Sequence, residues 1–90
     1  MSRAIYKYEL KLDSVNIVSM PKGAEVISVI EQNNGIMVYA IVDPNETKME
    51  DKVFTIVGTG RDMTFDADDY VFLGTVSMFE GRYIWHVFMA

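Results

Sequence analysis

The sequence predicts an all-β fold: about seven short, mainly antiparallel strands in a small sandwich or barrel, forming a single domain over residues 1–90. Three observations carry that expectation. Apolar residues recur with a period of two, β-branched residues concentrate in short runs, and turn-forming residues separate those runs. No segment sustains the i, i+3, i+4, i+7 spacing of an amphipathic helix beyond two turns.

From Ala4 the chain alternates, with Ala4, Tyr6, Tyr8, Leu10 and Leu12 on one face and Lys7, Glu9 and Lys11 on the other. This is the pattern of a strand with one buried face. Asp13-Ser14 offers a turn, and Val15 to Met20 resumes an extended pattern. Pro21-Lys22-Gly23 breaks it, since proline lacks a ladder donor and glycine tolerates unusual torsions. Glu25 to Glu31 is β-branched almost throughout, which favours a strand. Asn33-Asn34-Gly35 then supplies an Asn-Gly hairpin signal. Ile36 to Val42 is apolar on both faces and reads as a central strand covered on each side. After Asp43-Pro44-Asn45-Glu46, the polar residues 45–51 read as an exposed loop. Lys52 to Val57 forms the next strand and runs into Gly58-Thr59-Gly60. Arg61 to Asp69 is an aspartate-rich connection with room for one short helical turn. Tyr70 to Phe79 and Arg82 to Met89 close the fold as a hairpin around Glu80-Gly81. In its last strand Tyr83, Trp85, Val87 and Met89 share one face, and Ile84, His86 and Phe88 the other.

Composition bounds the function. Half the residues are hydrophobic and 23% are charged, which suits a soluble globule. The longest apolar run, Ile36 to Val42, is far shorter than the roughly 20 residues of a membrane-spanning helix, and no secretory leader is expected. Without cysteine there is no disulfide, thiol nucleophile or thiolate-bound zinc. Thirteen acids against eight bases give a net charge of −5. The excess lies between Glu46 and Glu80, where eight acids face three bases; elsewhere five of each cancel. Such a chain repels a nucleic-acid duplex, whereas an acidic stretch suits a basic protein.

Two constellations stand out. Gly58-Thr59-Gly60-Arg61 follows a strand, and glycines there let backbone N–H groups converge on a phosphate beside an arginine. The lysine and following helix of a true phosphate loop are missing, so a strand-ending turn is the simpler reading. Arg82, Tyr83 and Trp85 form a basic-aromatic group suited to stacking a planar base or anchoring an interface. Asp62, Asp66, Asp68 and Asp69 do not match a calcium loop and are candidates for a partner surface; no metal site is expected. His86 is the sole histidine and reads as a hydrogen-bonded core or interface residue. No acid, base and nucleophile set can be named, so the sequence is not read as an enzyme and calls for no cofactor. The apolar closing hairpin and the open edges of a small sheet favour a homo-oligomer.

Several segments resemble a family of short, uncharacterised phage and prophage proteins grouped as a domain of unknown function. They are Ala4-Ile5-Tyr6-Lys7-Tyr8, Met20-Pro21-Lys22-Gly23-Ala24, Tyr39-Ala40-Ile41-Val42-Asp43-Pro44, Phe54-Thr55-Ile56-Val57-Gly58-Thr59-Gly60, Phe72-Leu73-Gly74-Thr75-Val76 and Trp85-His86-Val87-Phe88. The acidic connection from Asp62 to Asp69 departs from the family pattern. The resemblance implies a viral setting and the host cytoplasm, and supplies no catalytic residues. Three readings follow. One is a counter-defence protein that sequesters a small nucleotide signal as an oligomer, through Gly58, Thr59, Gly60, Arg61, Arg82, Tyr83 and Trp85. Another is an acidic inhibitor of a basic host protein, through Asp62, Asp66, Asp68 and Asp69. The third is a small virion or assembly component.

Overall fold

The computed structural model describes residues 2–12 and 14–90, so Asp13 of the first turn lies outside the described residues. Seven strands lie among the described residues, in two antiparallel sheets packed as a sandwich; neither sheet closes into a barrel. The first sheet has the order β1 (Ala4–Leu10), β4 (Gly35–Val42), β3 (Glu25–Gln32). The second has the order β2 (Val15–Pro21), β5 (Met49–Gly58), β7 (Tyr83–Met89), β6 (Val71–Met78). A single 3-10 turn, Ala67–Asp69, interrupts the long connection from β5 to β6.

The alternation in β1 holds in part. Ala4, Tyr8 and Leu10 turn inward opposite Val42, Val38 and Ile36, while Lys7 and Glu9 point out; Tyr6, opposite Ala40, is 41% exposed, and Leu12 lies beyond the strand and is exposed. Opposite them the second sheet contributes Met20, Phe54, Ile56, Val76, Met78 and Val87, which complete the buried core. Asn16 is the buried polar residue of the corner between β1 and β2. Its Oδ1 accepts from the Lys11 N–H at 2.8 Å and its Nδ2 donates to the Lys11 carbonyl at 3.0 Å, so the side chain imitates a strand partner where the chain changes sheets.

Three expectations need correction. The chain from Met49 to Asp51 is not loop: it pairs with Ser19 to Pro21, so β5 begins three residues before Lys52. Pro21, paired with Met49, is the last residue of β2, where the break was expected. The hairpin between β3 and β4 turns on Asn33 and Asn34, with φ of 53° and 60°, and Gly35 is already the first residue of β4. Both central residues at positive φ make this the primed kind of turn that matches strand twist, and asparagine tolerates it. Finally, β4 is central in its sheet but covered on one side only. Ile36, Val38, Ala40 and Val42 are buried, whereas Met37, Tyr39 and Ile41 are half-buried and no other element among the described residues lies over them.

The closing hairpin also differs from expectation in how its second face is served. Trp85, Val87 and Met89 face the core side. On the other face, Phe88 meets Phe65 of the β5–β6 connection at 5.3 Å and Phe72 at 5.2 Å between ring centroids. The chain therefore covers much of that face with its own aromatic residues, leaving less reason for a neighbouring copy there.

Candidate functional site

The end of β5 and the start of β7 build a trough around Trp85. Gly58 registers opposite Trp85, and the close approach of the indole explains the glycine. A Cβ at position 58 would stand 3.2 Å from Trp85 Cζ3 and 3.4 Å from Arg61 Cγ. Residues 58–61 then form a turn closed by the Arg61 N–H on the Gly58 carbonyl at 3.0 Å, with Gly60 at φ 85°. Such a turn carries the Arg61 side chain back alongside Trp85.

The opposite wall comes from the β6–β7 loop. Phe79, Glu80 and Gly81 all have positive φ (52°, 59° and 88°), and the Arg82 N–H closes on the Phe79 carbonyl at 3.2 Å. For a phenylalanine this torsion is unfavourable by roughly 1–3 kcal/mol, a strain of the kind that gathers at binding sites. Phe79 meets the Tyr83 ring edge-on at 5.7 Å, and Tyr83 and Trp85 lie nearly parallel, 13° between planes and 6.4 Å between centroids. Two adjacent aromatic planes with a common tilt form a stacking surface.

Gly58, Thr59, Arg61, Arg82, Tyr83 and Trp85 thus line one groove of about 290 Å³ together with Ile84. A neighbouring concavity of about 430 Å³ shares Arg82, Tyr83 and Trp85 and extends to Leu12 and Phe79. A third, about 270 Å³, shares Gly58, Arg61 and Trp85 and runs beside Asp62 and Phe65. Six of the seven residues expected to hold a ligand therefore converge; Gly60 stands at the rim of the turn. Phe79 and Leu12 escaped the sequence reading: a strained loop aromatic leaves no periodic signal, and the alternation of β1 assigned Leu12 to the buried face, whereas it lies beyond the strand and is exposed.

The backbone contributes less to an anion than the glycine pattern suggested. The Thr59 N–H is taken by the Ile84 carbonyl at 3.2 Å and the Arg61 N–H by Gly58. Cationic side chains remain: among the described residues neither Arg61 nor Arg82 is paired with a carboxylate, the one ion pair being Lys52 with Glu50 at 3.3 Å. The buried indole Nε1 of Trp85 has no hydrogen-bond partner among the described residues.

His86 lies on the opposite face of β7. Thr59 Oγ1 stands 2.7 Å from its Nε2 and Thr75 Oγ1 3.0 Å from its Nδ1. Because each hydroxyl can donate or accept, either tautomer is satisfied, and the ring pins the 58–61 turn to β6.

The aspartates sit apart on the β5–β6 connection. Asp62, Asp66, Asp68 and Asp69 are all exposed, but Asp66 is occupied: its Oδ1 accepts the Asp68 N–H at 3.0 Å and caps the 3-10 turn. Among the described residues no group of three or more histidine, aspartate or glutamate side chains is placed to hold a metal ion. A larger concavity, about 800 Å³ and open, lies between the two hairpin tips and sets Glu31 and Glu80 against Arg82 alone. That balance suits an anion poorly.

Fold and trough together define a small β-sandwich with a basic, aromatic-walled surface groove. The domain-of-unknown-function family DUF7352 matches residues 1–90, and the chain belongs to it. No curated protein and no solved structure matches the chain. Among the described residues no helix is long and apolar enough to cross a membrane.

Proposed function

We propose that this protein acts by binding rather than by catalysis, and that its trough retains a small ligand joining a phosphate to a planar base. The observation that carries the reading is convergence: two guanidinium groups without carboxylate partners among the described residues, Arg61 and Arg82, flank the parallel rings of Tyr83 and Trp85 on one groove. Guanidinium groups bind phosphate by paired, charge-assisted hydrogen bonds, and aromatic planes stack bases regardless of sequence. In the viral setting that the family resemblance implies, retention in the host cytoplasm would withdraw a nucleotide signal from a defence pathway. A protein-partner role for Asp62, Asp66, Asp68 and Asp69 has their exposure in its favour, but one of the four is spent on capping.

Trp85 is the only tryptophan and so reports on the groove directly. Its emission is titrated with AMP, adenosine and inorganic phosphate. AMP is expected to quench at lower concentration than either fragment, and Arg61→Glu to weaken AMP by about tenfold or more with an unchanged melting curve. Equal titration of AMP and adenosine, or an Arg61→Glu protein that binds as before, overturns the reading.

A further inference from the structure

The open edges of the two sheets are β1 and β3 in one and β2 and β6 in the other. An exposed edge is a template for another strand, and proteins blunt such edges with charge or with bulges. Three of these four are blunted. β1 carries Lys7 and Glu9; β3 carries Glu25 and Glu31 with a register shift between Val26 and Ser28; β6 is broken between Phe72 and Gly74. β2, Val15-Asn16-Ile17-Val18-Ser19-Met20-Pro21, has neither a charge nor a bulge. Val15 and Ile17 are 54% and 67% exposed on it.

The ladder says which groups the edge presents. The Ile56 N–H bonds to the Ser14 carbonyl and the Lys22 N–H to the Lys48 carbonyl. Since alternate residues of an antiparallel strand face alternate neighbours, the even-numbered residues of β2 bond to β5. Val15, Ile17 and Ser19 therefore direct N–H and C=O outward. Pro21 falls on the outward side too, where its missing N–H takes nothing from the ladder to β5.

We infer that the β2 edge pairs with the β2 edge of a second copy, joining the two four-stranded sheets into one across a two-fold axis. The sequence of β2 fits itself. Antiparallel pairing with Ile17 opposite its own copy sets Val15 opposite Ser19, and every outward N–H then finds a carbonyl. Pro21 falls beyond these pairs, so its lack of a donor does no harm. No like charges meet along the strand, although the chain as a whole carries −5. The outward side chains of Ile17 and its copy would cover each other beside Val53, the residue paired with Ile17 on β5.

The natural chain has no cysteine, so Ile17→Cys provides a clean reporter. Directly opposed residues in a hydrogen-bonded antiparallel pair have Cα atoms about 5.5 Å apart, within the range a disulfide spans. Mild oxidation is expected to link Ile17→Cys to completion, while Ile5→Cys, equally exposed on β1 at 61%, links only slowly. Sedimentation equilibrium should give twice 10.3 kDa for the natural chain, and Ile17→Lys, which touches no bond to β5, should raise the dissociation constant at least about tenfold with an unchanged melt. A natural chain that stays at 10.3 kDa into the millimolar range, a dimer indifferent to Ile17→Lys, or Ile5→Cys linking as readily as Ile17→Cys overturns the inference.

Discussion

Gly74 sits where the two sheets come closest, and a Cβ there would lie 2.9 Å from Val29 Cγ1 of β3. That separation is closer than packed carbons tolerate, so something must shift. Gly74→Ala is expected to destabilise the protein by about 1–3 kcal/mol. Combining it with Val29→Ala, which removes the offending methyl groups, should give less than the sum of the single losses in urea unfolding. Strict additivity would show that the two residues do not meet. The sequence could not single out this glycine, because a lone glycine in an apolar run signals a bulge at most, and what it makes room for is the Val29 side chain of another strand. Gly58 is the instructive contrast. Its place in Gly58-Thr59-Gly60-Arg61 was visible, but the reason for it is the indole of Trp85 rather than a phosphate-binding backbone.

At the scale of elements, strands with one apolar face were legible because period-two alternation and burial are the same fact seen twice. β4 shows this most clearly, its residues alternating between half-buried and buried from Gly35 to Val42. The start of β5 was not legible: Met49-Glu50-Asp51 is polar, and only pairing with the edge strand β2 makes it a strand. Glu50 ties this region together. Its carboxylate accepts the Gly23 N–H at 3.1 Å and lies 3.3 Å from Lys52. The Gly23 N–H, and then Lys52, hold its carboxyl below the ordinary value of 4.5. A folded pKa below the unfolded one contributes stability that is present above about 4.5 and is lost as pH falls through the lower folded value. Melting temperatures of Glu50→Gln should therefore fall below those of the natural chain at neutral pH and converge with them in acid. A gap that persists unchanged at low pH would exclude this carboxylate as the source.

Across the whole molecule, the two sheets span 43 × 29 × 16 Å in Cα positions, thin enough that surface features on one end of the sandwich share residues. That is why turns from β5 and β7, far apart in sequence, meet at Trp85. The site was legible in part: Gly58, Thr59, Arg61, Arg82, Tyr83 and Trp85, picked out from two separate stretches of sequence, line one groove. The contributions of Phe79 and Leu12, and the loss of backbone donors to Ile84 and Gly58, depend on tertiary geometry that no local pattern encodes. The acidic chain around it carries −5, with Asp62 at the trough's margin and Glu80 beside Arg82 in sequence. The proposed retention of an anion there would rest on the two arginines acting locally against the wider field.

The most direct test of that claim is native mass spectrometry of freshly purified protein, followed by denaturation of the same sample. The account predicts release of a nucleotide-sized mass from the natural chain and none from Arg61→Glu. A natural chain that carries nothing, and takes up no AMP when it is added, would contradict it.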